Sequence, residues 1–514
     1  MRHSCWNARA EASPAREDTK FAKGAVGMHT EMRWRLAAGL APACLASYLV
    51  WRATASGLWF SPDGSFYLDA ANSLASTGRP WIHDACGRKL WMNTFPPLFP
   101  MVAGLGIAAG VDAFVFVRLL NTLCAALSAG LLACTVGAAA GSLRAGMLAG
   151  ALLAVLPDFV EAHRSFLSEP LYFALLAGAF LLIESGLRTN STRKLLAAAA
   201  LLGLGAATRY AGTPLLIAVP CCVWAATRRA RVAVALLLTA VAPLALILAA
   251  NAHFATAATD RQLAFTPFDP GYLTHGLAVA AAWLRLGWLP PVLQAVTCGA
   301  LLAGLTVLCW RRGWRRRISI SWVALLCAAA YLMFVLAMRL YVDSAIELEP
   351  RQTLPLFPLL TIAFGATVSR RWLVGSLLLL LAMQSGGALR QPPVRGVKAN
   401  SNDPAWRNSS TLGYAAQLQG IVCRYANAPD VVYRQIGKPA TWLPRSQRDY
   451  TRWSDPEWCR ETKAMLGKSG PAAFIFLDRF GERYNAQVTE AELAQCLETA
   501  GRVRLDDGTV LTVR

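Results

Sequence analysis

Residues 195–226 read LLAAAALLGLGAATRYAGTPLLIAVPCCVWAA, an apolar run interrupted by one charge, Arg209. A helix crosses the hydrocarbon core of a bilayer with about 20 residues, so this run is too long for one ordinary span and just long enough for two short ones. A turn at Thr208-Arg209-Tyr210 resolves the length and puts Arg209 at a membrane face. Similar runs recur from about residue 34 to residue 388, and short basic clusters separate many of them. The whole chain of 514 residues is 55% hydrophobic and only 16% charged, against roughly 25% charged in a soluble globular protein. This composition describes an α-helical polytopic membrane protein. It excludes a disordered chain, a secreted disulfide scaffold and a β-barrel, whose tilted strands are far shorter than these segments. The net charge of +20 does not indicate nucleic acid, because the Lys and Arg sit largely in short loops where they set membrane orientation.

Orientation follows from those loops. The clusters Arg188, Arg193 and Lys194; Arg228, Arg229 and Arg231; Arg311 to Arg317; and Arg370 and Arg371 should all lie in the cytoplasm. Spans at about 34–56, 113–138, 145–160, 169–187, 195–208, 211–226, 232–252, 288–310, 318–339, 351–368 and 372–388 satisfy that demand with about eleven helices. Residues 1–32 then form a disordered cytoplasmic extension containing the alternative starts Met28 and Met32, and 33–388 the membrane domain. Its first outer loop is 57–112. Within it, 95–112 carries Pro96, Pro97 and Pro100 and reads as an interfacial or re-entrant piece.

From 389 to 514 the composition becomes soluble, and an α/β alternation predicts a small extracytoplasmic domain: helices over 411–426, 455–468 and 489–500, a strand over 472–478, and a hairpin over 502–513 turning at Asp507-Gly508. Cysteine use divides in the same way. Eight fall in spans, whereas Cys86, Cys423, Cys459 and Cys496 fall on the oxidising side, where the pairing stays open.

Ionisable groups at a membrane need an explanation. In Ser61-Pro62-Asp63-Gly64-Ser65-Phe66-Tyr67 a carboxylate stands just beyond a span, placed either to deprotonate a hydroxyl or to cap the following helix. Glu169 opens a helix in Ser168-Glu169-Pro170, where the dipole favours an anion. Asp63 and Glu169, if they face each other, make a divalent cation a candidate cofactor, with His163 as a third group or simply a loop residue. Arg209 and Arg351 at one interface suit a phosphate, since guanidinium binds its oxygens bidentately. The plainer readings are snorkelling for Arg209 and an ion pair of Arg351 with Glu347 or Glu349.

The order and common outer location of several segments resemble the GT-C superfamily of integral-membrane glycosyltransferases, which includes protein O-mannosyltransferases, aminoarabinose transferases acting on lipid A and oligosaccharyltransferase catalytic subunits. These segments are Ser61 to Gly64 with Tyr67, Phe95-Pro96-Pro97-Leu98-Phe99-Pro100, Ser168 to Tyr172, Thr208-Arg209-Tyr210 and Arg351 through Pro358, with a weaker likeness over Asp430 to Pro444 in the tail. The resemblance implies a polyprenyl-phosphate-linked sugar donor, an extracytoplasmic glycan, lipid or protein acceptor, and inversion at the anomeric carbon. Asp63 would then be the general base, Arg351 and Arg209 would hold the donor phosphate, and Glu169 and His163 would form a second site for acceptor or metal. It also implies the inner membrane of a bacterium, where the orientation set by the basic loops would leave the N-terminus cytoplasmic and the C-terminal domain periplasmic. One departure stands out: Gly64 occupies the position where many members carry a second acid, which argues against a metal held by an adjacent acidic pair. Two other classes compete. A transporter or flippase of a lipid-linked glycan or small solute would be expected to show inverted repeats, and none is evident; a non-catalytic scaffold of the same fold is the other.

Overall fold

The computed structural model describes residues 37–255, 269–315, 319–342, 348–390, 404–446, 455–480, 487–497 and 501–513, together with 265, 267 and 346. The expected extension 1–32, Asp343 and Glu347 lie outside these residues.

The membrane part is a bundle of helices joined by short turns. Helix α1 (37–53) leads into α2 (Pro62–Thr77), a small hairpin β1 (Trp81–His83) and β2 (Lys89–Trp91), and α3 (Leu98–Ala108). Then follow α4 (Ala113–Ala140), α5 (Leu143–Val155), α6 (Pro157–His163), α7 (Glu169–Thr189), α8 (Thr192–Thr208), α9 (Thr213–Thr227) and α10 (Ala230–Phe254). The bundle closes with α11 (Pro270–Trp283), α12 (Pro291–Arg315), α13 (Ile320–Tyr341), the single turn α14 (Pro350–Thr353), α15 (Leu356–Thr367) and α16 (Arg370–Arg390).

Helix occupies all eleven expected segments. Among the described residues six helices are long and apolar enough to cross a membrane, or seven if α5 and α6, bent by 63° at their junction, count as one span. The protein is therefore an integral multi-pass membrane protein. The bend has a local cause, because Pro157 cannot donate a hydrogen bond back into α5 and starts a new helix instead. At 11 residues α3 is about 16 Å long, too short to cross a core of about 30 Å. Helix α11 falls in a stretch, 253–287, for which only an outer loop was expected.

Burial sorts the helices. The most apolar stretches of α4 and α7 are 61% buried and form the centre, whereas those of α10 and α12 are 17% buried and face outward. Small residues bring α4 and α5 into contact: a Cβ added at Gly146 would lie 2.5 Å from the carbonyl oxygen of Ala133, and one at Gly150 would lie 2.6 Å from that of Ala129. Close backbone approach of this kind replaces the hydrophobic drive that lipid cannot supply.

The tail contains α17 (Ser410–Gln417), β3 (Cys423–Ala426), α18 (Pro429–Ile436), β4 (Thr441–Trp442), α19 (Trp458–Ser469), β5 (Ala472–Leu477), α20 (Glu490–Leu497), β6 (Gly501–Leu505) and β7 (Gly508–Val513). The strands form one sheet in the order β4-β3-β5-β7-β6, parallel among the first three and antiparallel thereafter. The expected helix 411–426 is corrected here. It stops at Gln417, Leu418 is extended, and 423–426 becomes strand β3, whose Cys423 and Tyr425 pack on one face of the sheet while Ala426 packs on the other. The hairpin turns one residue earlier than expected, at Asp506-Asp507, because Leu505 pairs with Gly508. The expected cap at Thr489 is a full capping box: its Oγ1 accepts the Glu492 N–H at 3.2 Å, and Glu492 Oε2 accepts the Thr489 N–H at 2.8 Å.

Asp507 anchors this turn to α17 by accepting from Ser410 Oγ at 2.9 Å and from the Thr411 N–H at 3.0 Å and Oγ1 at 2.6 Å. Burial alone would raise its pKa, but these donors and Ser409 outweigh burial and hold it below the ordinary value. A depressed folded pKa gives stability that is present at neutral pH and lost as pH falls through the acid range. We expect Asp507→Ala to cost about 1–2 kcal/mol of tail stability at pH 7 and much less at pH 3, measured by thermal unfolding of the purified protein in detergent. An equal cost at both pH values would contradict this.

Candidate active site

Two loops build the site. Before α2, the Trp59 N–H donates to Arg164 O and the Phe166 N–H to Trp59 O, both at 2.8 Å, so the segment entering α2 is stitched to the segment entering α7. Asn121, buried within α4, donates through Nδ2 to His163 O at 2.9 Å and to Ser165 O at 2.8 Å, so the inner loop carbonyls do not stay unpaired. The first turns of α2 and α7, with Asp63 and Glu169, are thereby brought side by side. One turn further along α2, Tyr67 is buried and its hydroxyl shares a 3.1 Å hydrogen bond with Ser168 Oγ. Burial, with Glu169 nearby, pushes the Tyr67 pKa up, so its proton stays on.

Asp63 is not the cap of α2. That role belongs to Ser61, whose Oγ accepts the Gly64 N–H at 3.4 Å. This removes the plainer alternative for Asp63. Its Oδ2 instead meets Arg351 Nη2 at 2.8 Å. Arg351 Nε donates to Glu169 Oε1, and Arg209 Nη1 pairs with the same oxygen. Arg209 Nη2 also donates to Gln352 Oε1 at 3.2 Å, and the Gln352 carbonyl accepts from Tyr331 at 3.0 Å. The result is an alternating chain, Asp63, Arg351, Glu169, Arg209, whose two carboxylates and two guanidinium groups balance in charge.

Exposure divides the chain in two. The Glu169 and Arg209 side chains are 2% and 12% exposed, whereas Asp63 and Arg351 are 31% and 33% exposed. Glu169 is thus a buried counter-ion that holds both arginines, and Asp63 with Arg351 forms the solvent-exposed end of the chain. The snorkelling alternative for Arg209 fails, because its guanidinium is paired inward. For Arg351 the partners among the described residues are Asp63 and Glu169 rather than Glu349, and Glu347 lies outside those residues.

His163 stands apart. Fully buried, it packs against Phe159 and Phe173 and its Nδ1 contacts Phe159 O at 2.8 Å. Among the described residues no three His, Cys, Asp or Glu side chains group as cation ligands. Arg351 contacts both Asp63 and Glu169, so the two acids are held as ion-pair partners of one guanidinium group. The departure at Gly64 has a steric reason. A Cβ there would lie 3.1 Å from Phe166 O and from the Phe60 ring, so position 64 faces packed protein rather than the acid and arginine chain.

Sequence reasoning missed Gln352, Tyr331 and Asn121. Gln352 adjoins Arg351, but only the fold shows it bonded to Arg209; Asn121 was detectable as an amide inside an apolar span.

Residues 94–253 match the profile of the dolichyl-phosphate-mannose-protein mannosyltransferase family. No curated protein matches the chain at the sequence level. Among solved structures, ArnT from Cupriavidus metallidurans, bound to undecaprenyl phosphate, is similar at TM-score 0.55 and 14% identity, covering 92% of this chain and 97% of that one. The arabinofuranosyltransferase AftD from Mycobacteria is similar at 0.53 and 16%, covering 92% of this chain and 41% of its own length. The oligosaccharyltransferase of Archaeoglobus fulgidus, in complex with zinc and sulfate, is similar at 0.52 and 11%, covering 91% and 72%. Together with the bundle and the small tail sheet, these likenesses show that this chain has the GT-C fold of integral-membrane glycosyltransferases.

Proposed function

We propose that the protein transfers a sugar from a polyprenyl-phosphate donor to an acceptor outside the cytoplasm, with inversion and with Asp63 as general base. The observation that carries this reading is the Asp63, Arg351, Glu169, Arg209 chain at one end of the bundle. A lipid phosphate must sit at headgroup level, where two guanidinium groups can take up the charge that develops as the C1–O bond to phosphate breaks. The acceptor oxygen attacks C1 from the opposite side of the sugar while its proton passes to Asp63. Arg351 also contacts Asp63. A phosphate that takes over the exposed side of Arg351 releases the carboxylate for its role as base, and Glu169 keeps both arginines in place.

Orientation agrees. Helix α7 starts at Glu169 and has Arg188 in its last turn; α8 has Arg193 and Lys194 in its first turn and ends at Arg209. The basic turns therefore lie at the opposite end of the bundle from the acid and arginine chain, and the positive-inside tendency supports an outer location for that chain. Two disulfides, Cys86–Cys423 and Cys459–Cys496, lie in the first loop and the tail and suit an oxidising compartment. A reporter active only in the periplasm, fused after Arg514, should be active; activity of a cytoplasm-only reporter instead would overturn the topology.

The donor-phosphate role is tested by Arg351→Lys, which keeps the charge and loses the planar fork. Affinity for undecaprenyl phosphate should fall about tenfold, the loss of roughly 1.4 kcal/mol. Equal affinity and turnover in a stable variant would remove the clamp role. The transporter reading predicts movement of substrate without a new glycosidic bond.

A further inference from the structure

The tail reaches the first loop at three points and the start of α4 at a fourth. Cys423, at the start of β3, is bonded to Cys86 in the turn of the β1–β2 hairpin, across 337 residues of sequence. The next residue, Arg424, donates its N–H to Ala85 O at 2.8 Å, and Ala85 is buried within the apolar cluster of the tail sheet. From α18, Tyr433 donates to Asp69 Oδ1 at 3.4 Å. The next side chain, Arg434, lies over the ring of Phe114 at 4.1 Å, at the start of α4. Asp69 is on the same helix as Asp63, and it also accepts the His83 N–H at 2.6 Å and sits 3.0 Å from His83 Nδ1.

Three of these contacts fall on α2 or on the hairpin that follows it, and the fourth falls on the start of α4. A junction with one covalent bond, a main-chain bond and a charge-assisted hydrogen bond is more than a resting contact, because a mobile loop is free to drift by an ångström or more unless it is tied. Burial and the neighbouring Asp69 carboxylate push the Tyr433 pKa up to about 12, so its hydroxyl keeps the proton it donates.

From this we infer that the tail domain is a clamp for the catalytic helix, in which Tyr433 acts as a positioning residue through Asp69 and the Cys86–Cys423 disulfide makes the position of Asp63 dependent on oxidation. The inference rests on the proposed transferase reading for its effect on turnover, but the clamp itself does not. A dithiol reductant opens Cys86–Cys423 to two thiols and is itself oxidised to a cyclic disulfide. Of the ties from the tail, Tyr433 to Asp69 on α2 and the Arg424–Ala85 main-chain bond to the hairpin then remain.

The test uses the full-length protein in detergent or nanodiscs, in a Cys459→Ser/Cys496→Ser background so that one disulfide remains to be reduced. Hydrogen exchange of the α2 amides, 62–77, is measured before and after reduction, with reduction verified by mass spectrometry. Exchange in α2 should rise about tenfold or more while exchange in α7 stays unchanged. Unchanged protection of α2 would overturn the clamp. This arm decides the matter whether or not a sugar donor is found, so its failure is distinct from failure of the transferase reading. In the transfer assay, reduction and Tyr433→Phe should each lower kcat by about tenfold to a hundredfold while leaving affinity for undecaprenyl phosphate unchanged, since a misplaced base impairs the chemical step rather than phosphate binding. Full kcat in the reduced protein, or a loss confined to phosphate affinity, would overturn the positioning role. A purely structural Tyr433 would lower the melting temperature of Tyr433→Phe and leave the kcat of the folded fraction intact, which also counts against the proposal.

Discussion

Asp63→Asn is expected to insert, fold and bind donor phosphate while its turnover falls by about 10²–10⁴-fold, the usual loss when a general base is removed. The substitution preserves size, and its amide oxygen can still accept from Arg351, so the geometry of the chain of charges is kept. Because Ser61 caps α2, neither Asp63→Asn nor Asp63→Ala should carry the stability cost of a lost cap. Turnover assays in membranes with matched protein levels and matched binding of undecaprenyl phosphate check this directly. Near-normal transfer by the Asn variant would move the base elsewhere.

Glu169→Gln should have the largest effect on stability. Its carboxylate is the shared partner of Arg209 and Arg351, and with a side chain 2% exposed it neutralises charge that water cannot reach. Removing one partner of a buried ion pair leaves an uncompensated charge, typically at a cost of about 3–5 kcal/mol. The variant should therefore melt earlier and accumulate poorly in membranes. A double variant, Glu169→Gln with Arg209→Met, should recover part of that stability, because no buried cation then lacks its partner. If the single variant is as stable as the parent, Glu169 is not the buried counter-ion described here.

The bundle was legible because its signals are one-dimensional. Length and apolarity located the span segments, and Arg209 divided 195–226 at the point where the structure turns between α8 and α9. What the sequence could not show is which outer charges meet. Asp63, Glu169, Arg209 and Arg351 were each detectable as ionisable groups at a membrane face, but only packing shows that Arg351 sits between the two acids in an ion-pair chain. Gln352 and Tyr331 stayed silent for the same reason, since a neutral side chain carries no local signature of its partner. In the tail, β3 was read as helix because four residues of strand are too short to show a period, and its place in the sheet depends on β4 and β5 on either side. Pairing Cys86 with Cys423 likewise required the fold, because their proximity is created by the docking of the tail on the first loop.

Sugar transfer from a polyprenyl-phosphate donor can be followed in membrane vesicles containing the protein. They are incubated with a series of radiolabelled polyprenyl-phosphate sugars, and the label is followed from the lipid into product. At least one donor should lose its sugar to an acceptor through a new glycosidic bond of inverted anomeric configuration, and Asp63→Asn vesicles with equal protein should retain the label on the lipid. Movement of intact labelled lipid across the membrane with no new glycosidic bond, equal in wild-type and Asp63→Asn vesicles, would contradict it.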